Sequence, residues 1–109
     1  KCLLSEKYEA ITSDYCINEL KRVFTKKFEH KVNYLNIFLD VFLSQVHLVN
    51  TSNTVIELEI KIRDPKDRPV LRAAIENNAD IIISGDKDLL ESDIKKPKII
   101  TANEFYNFY

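Results

Sequence analysis

The chain has 109 residues, 45% of them apolar and 30% charged, with a formal net charge of −1. That is enough for one domain with its own core, and the mix is that of a globular protein rather than a disordered one. It excludes a globally basic nucleic-acid binder, and no apolar run approaches the roughly 20 residues that span a bilayer.

In chain order, residues 9–13 (EAITS) read as a short strand. Ser13 or Asp14 is a natural N-cap for the helix YCINELKRVFTKKF, in which Ile17, Leu20, Phe24 and Phe28 form one stripe. A second helix is expected from about Val32 to Val46, burying Leu35, Phe38, Leu39, Phe42 and Leu43, and residues 47–50 form a further short strand. Residues 54–62 alternate in a way that fits a helix or a half-buried strand. "RDPKDRP" then breaks the chain and opens a helix from about Arg68 to Asn78, with Pro69 in its first turn. Asp80 to Ser84 reads as a buried strand of the kind parallel sheets use. A short helix over Lys87 to Ile94, a strand over Lys98 to Thr101 and a closing helix over Ala102 to Phe108 complete the order. Strands alternating with helices at these lengths predict an α/β layer structure with a mainly parallel sheet.

The cysteines, Cys2 and Cys16, lack CxxC spacing and read as small buried hydrophobes in a reducing compartment. No charged-then-apolar leader opens the chain, so a cytoplasmic location is expected. His30 and His47 read as surface or helix-end residues, and the terminal aromatics Phe105, Tyr106, Phe108 and Tyr109 as packing groups.

Ligands of parallel sheets gather outside the carboxyl ends of the strands. Asp86 stands at such an end, just after Gly85, the only glycine of the chain. Gly85 is expected to let the backbone turn, or come close, where a Cβ would obstruct. Asp67 precedes Val70, Leu71 and Ala74 at helical spacing and is either a cap or part of a site. Glu19 flanks the Ile17/Leu20/Val23 stripe, where a solvated ion-pair partner for Arg22 or Lys21 is the ordinary role. Asp64 offers another cap, and Asp88 reads as the cap or first-turn acid of the helix after Asp86. Carboxylates without a His or Cys cluster point to hard cations, Mg²⁺ or Mn²⁺, and such a site suits phosphodiester hydrolysis.

"RDPKDRPVLRAAIENNADIIISGDKDLL" followed by "KIITANEFYNF" resembles the C-terminal half of PIN-domain proteins, closest to the branch of toxins of toxin–antitoxin pairs (VapC-like). "AITSDYCINELKRVFTKKF" resembles that branch's second strand and acid-bearing helix, so the likeness runs from about Tyr8 to the end. It implies a three-layer α/β/α sandwich and a Mg²⁺- or Mn²⁺-dependent ribonuclease. Glu19, Asp67 and Asp86 match metal-binding acids, Ser84 the hydroxyl residue that helps hold the site, and Asp64 and Asp88 secondary acids. The family's opening strand, with its D-x-N motif, has no counterpart here. Residues 1–109 therefore read as a single PIN-like domain lacking its first strand, with a three-acid site that binds metal weakly and hydrolyses little unless that strand is supplied.

Two readings follow. One is an endoribonuclease toxin, whose Arg22, Lys26, Lys66, Arg68 and Lys87 hold the RNA backbone with salt-dependent affinity. The other is a catalytically inactive PIN-like binding or regulatory domain. The resemblance further implies an RNA substrate, a cognate antitoxin and a homodimer, with no membrane partner.

Overall fold

The computed structural model describes residues 8–109, so Cys2 and the rest of the opening segment lie outside the described residues. Two compact units, Lys1–Asn50 and Thr51–Tyr109, divide the chain. Each unit holds one pair of parallel strands together with helices, so the fold class is α/β.

In the first unit, β1 (Ile11–Ser13) runs into α1 (Asp14–Lys27) at Ser13, whose Oγ accepts the Cys16 N–H at 3.1 Å. Asp14 in the first turn and Lys26 and Lys27 in the last complement the helix dipole. A single 3₁₀ turn, Glu29–Lys31, leads to α2 (Val32–Leu43) and then β2 (His47–Val49). Parallel pairing requires a crossover, which α1 and α2 supply, setting Ile11 opposite His47 and Ser13 opposite Val49.

The core of this unit is narrower than the apolar stripes predict. Ile17, Leu35 and Leu39 are buried, with Phe24, Phe42 and Leu43 packed against them. Leu20, Phe28 and Phe38 are exposed instead. Two short helices in contact cover only a seam about one residue wide per turn, so the flanks of each stripe stay in solvent. Phe38 lies stacked on Phe42 with ring centroids 5.5 Å apart. The second helix also stops at Leu43, short of Val46, where the Ser44 hydroxyl donates to the Val41 carbonyl. Cys16 is a half-buried free thiol, and His30 and His47 are exposed.

The second unit opens on residues 54–62, which form neither a regular helix nor a strand but a 3₁₀ turn over Glu57–Lys61. Ile62 is fully buried and Leu58 packs inward, whereas Ile60 is exposed and Glu59 is buried in its place. Arg72 is the reason. Its Nε and Nη2 donate to the two Glu59 oxygens at 3.0 and 2.8 Å, and its Nη1 donates to the Ser52 carbonyl at 2.8 Å. Glu59 also accepts the Ile56 N–H, so a two-pronged, charge-assisted pair ties this segment to the following helix.

That helix, α3 (Arg68–Glu76), follows a 3₁₀ turn over Pro65–Asp67 and buries Leu71, Ala73 and Ala74. It ends on Asn78 at φ 56°, with Asn78 N–H bonded to the Ile75 carbonyl and Ala79 N–H to the Ala74 carbonyl. An asparagine thus takes the left-handed helix-stop position that glycine usually fills. β3 (Ile81–Ile83) and β4 (Lys98–Ile100) pair in parallel, Ile82 opposite Ile99. The expected buried strand over Asp80–Ser84 is shorter than drawn from the sequence, and Ile83 is exposed, because successive side chains alternate between the two faces of the pair.

Between these strands α4 (Lys87–Leu90) is one turn long and does not extend to Ile94, although Ile94 is buried. Asp93 intervenes at φ 59°. α5 (Ala102–Phe108) is capped by Thr101, whose Oγ1 accepts the Glu104 N–H while Glu104 accepts the Thr101 N–H. Of the terminal aromatics only Phe105 is buried, stacked on Tyr109, and Tyr106 and Phe108 are exposed. Among the described residues no helix is long and apolar enough to cross a membrane.

Candidate metal centre

Two loops of the second unit converge because one core anchors both. Ile62 and Leu71 bracket the "RDPKD" turn, Leu89 follows the "SGDKD" turn, and all three belong to the same buried cluster. In the first loop Asp64 Oδ1 accepts the Lys66 N–H at 3.0 Å, and the Asp67 N–H donates to the Asp64 carbonyl. Arg68 Nε donates to the Ile62 carbonyl at 2.9 Å and closes the turn from the other side. Asp67 precedes α3 but makes no side-chain capping bond, so Asp64 is the cap here and the Asp67 carboxyl remains for other contacts.

The second loop is built from two nested turns. Ser84 Oγ accepts the Asp86 N–H at 3.0 Å, and Asp86 Oδ1 accepts the Asp88 N–H at 2.8 Å, capping α4. The Ser84 N–H donates to the Ile100 carbonyl, fixing the loop to β4. Gly85 meets neither expectation placed on it. Its φ is not positive, and a Cβ there would have nothing within 4 Å. Asn78 and Asp93 occupy the left-handed positions instead.

Asp64, Asp67 and Asp88 each bring one carboxylate oxygen to within 4.8 Å of the others, and all three are half-buried. Asp86 faces Asp67 within hydrogen-bonding reach. Burial first, then the charges of Asp86 and Asp64 and that hydrogen bond, push the Asp67 carboxyl up to about 6. An oxygen-only donor set of this kind suits a hard divalent cation.

Of the residues singled out in the sequence, Asp67 and Asp86 therefore meet, and the two acids given secondary rank, Asp64 and Asp88, are the ones grouped with Asp67. Glu19 belongs to the first unit, where its two oxygens accept from Arg22 Nη2 at 2.9 Å and Nε at 3.3 Å. Lys26, Lys66 and Lys87 are exposed, and Arg68 is committed to the backbone turn.

One residue escaped the sequence reading. Glu59 sat unnoticed in the alternating segment, and no local signal marks its pairing with Arg72. Arg63 donates from Nε and Nη2 to the same oxygen of Asp88, the Nε bond measuring 2.8 Å. The sequence marks it only as one of a local basic group with Lys66, Arg68 and Arg72.

A family model of the PIN domain matches residues 1–88. No curated protein and no solved structure matches the chain. PIN domains are, in general, nucleases, and acids gathered on loops fit that class. With the match covering most of its length, through β1, α1 and both aspartate loops, the chain belongs to the PIN-domain family.

Proposed function

We propose that residues 1–109 act as one PIN-like domain, a Mg²⁺- or Mn²⁺-dependent endoribonuclease that hydrolyses RNA phosphodiesters. In this reading the chain is the cytoplasmic, VapC-like toxin of a toxin–antitoxin pair, restrained by a cognate antitoxin and self-associating as a homodimer. The observation that carries the nuclease reading is the approach of Asp64, Asp67 and Asp88 to within 4.8 Å of one another.

A bound divalent ion supplies a water of lowered pKa and neutralises charge on the cleaved phosphate. The chain's own residues prepare for it. Asp64, Asp67 and Asp88 would hold the ion, and Asp86 faces Asp67 while capping α4. Ser84 keeps the second loop in shape through the Asp86 N–H. The family likeness gives Glu19 a ligand's role, and Glu19→Gln tests it independently.

The deciding experiment incubates the purified full chain with single-stranded RNA and Mn²⁺. Cleavage should stop with EDTA and fall by about a hundredfold or more in Asp67→Asn. Asp67→Asn cutting as fast as wild type overturns the assignment. A wild-type chain that binds Mn²⁺ yet cuts no RNA favours the inactive binding domain instead.

A further inference from the structure

We infer that Arg63 is the residue through which this site takes hold of its substrate, with its guanidinium binding a backbone phosphate of single-stranded RNA beside the metal-holding acids. The inference rests on the phosphodiester reading above and adds to it the contact that lets a polyanion approach. Asp64, Asp67, Asp86 and Asp88 carry four formal negative charges on two neighbouring loops, and such a cluster repels RNA unless a cation stands among them.

Arg63 is placed for this. It follows Ile62, which is fully buried, so its backbone is fixed. Its Nε–H and one Nη2–H go to a single Asp88 oxygen, which holds the guanidinium plane in one orientation. Glu91 is 4.0 Å from Nη2, at the edge of an ion pair. The side chain nevertheless stays 74% exposed, and none of the described residues engages Nη1. A guanidinium already held by one carboxylate loses little further freedom on accepting a phosphate, and its planar fork matches phosphate oxygens.

Elimination points the same way. Arg68 gives its Nε–H to the Ile62 carbonyl, and Arg72 is buried against Glu59 and Ser52. Arg63 is the one arginine of the second unit that is exposed and bonded to one of the four acids.

The test compares wild type, Arg63→Ala and Arg63→Lys as full chains. Binding of a labelled single-stranded RNA oligonucleotide is followed in Ca²⁺ across salt, and turnover in Mn²⁺. Arg63→Ala should weaken RNA binding and raise KM about tenfold, leave kcat within about twofold, and reduce the salt slope by about one phosphate contact. Arg63→Lys should restore the salt slope and part of the affinity. Binding of Mn²⁺ alone, followed by its electron paramagnetic resonance signal, should stay within about threefold of wild type, whereas a mere orienter of Asp88 would change it by about 10–100-fold. Wild-type RNA affinity and salt slope in Arg63→Ala overturn the inference. So does a joint loss of Mn²⁺ binding and kcat at unchanged RNA affinity. A wild-type chain that binds RNA through Arg63 but cuts nothing supports the phosphate contact while removing the nuclease reading. A wild-type chain that binds no RNA removes the phosphate contact, whatever Mn²⁺ does.

Discussion

Glu59 and Arg72, thirteen residues apart, are joined by two hydrogen bonds of 2.8 and 3.0 Å with both side chains largely out of solvent. The pair fastens the segment that leads to Ile62, Arg63 and Asp64 onto the helix that starts after Asp67. Removing one partner leaves a buried charge without compensation. Glu59→Gln or Arg72→Ala should each cost about 3–5 kcal/mol in urea unfolding. A loss below about 1 kcal/mol would show that the pair behaves as a solvated surface bridge.

The same pair gives stability a pH dependence. The Arg72 hydrogen bond holds the Glu59 carboxyl below its ordinary value of 4.5, against the opposing effect of burial. A group whose folded pKa is depressed stabilises the fold fully above its unfolded pKa and loses that contribution as pH falls through the folded value. Wild type should therefore lose stability below about pH 4.5 more steeply than Glu59→Gln. Parallel acid-unfolding curves for the two proteins would contradict this.

Asp67 should behave in the opposite sense. In the metal-free protein its carboxyl should titrate at about 6, read from the side-chain carbon-13 shift, against an ordinary value of 3.8. Its bound proton favours the folded state fully below 3.8, and that contribution disappears as pH rises through about 6. Asp86→Asn should lower the midpoint without bringing it to 3.8, because burial, the largest cause, remains. A wild-type midpoint near 3.8 would mean that the two loops stand farther apart in solution.

Gly85→Ala should be neutral or stabilising by up to about 1 kcal/mol, since it narrows the unfolded ensemble without meeting strain or a neighbour in the fold. Asn78→Ala should instead cost about 1–2 kcal/mol, because alanine is strained at φ 56°. Thermal unfolding of the two variants checks both, and a reversed order would refute the backbone assignment.

Much of the local structure was legible before any fold was drawn. Ser13 as a cap, Pro69 in the first turn of α3, and the alternation of strands and helices all follow from steric rules and hydrogen bonds that span a few residues. The placing of Asp67 and Asp86 in loops beside strands and helices was legible for the same reason. Tertiary structure alone decided which side of residues 54–62 turns inward, because the partner that draws Glu59 in lies on another element. It also decided that Asp64 and Asp88 stand with Asp67, and that Arg63 reaches Asp88 twenty-five positions away. Charges interact through space, and the distance between two loops is set by the core beneath them, which no short stretch of chain encodes.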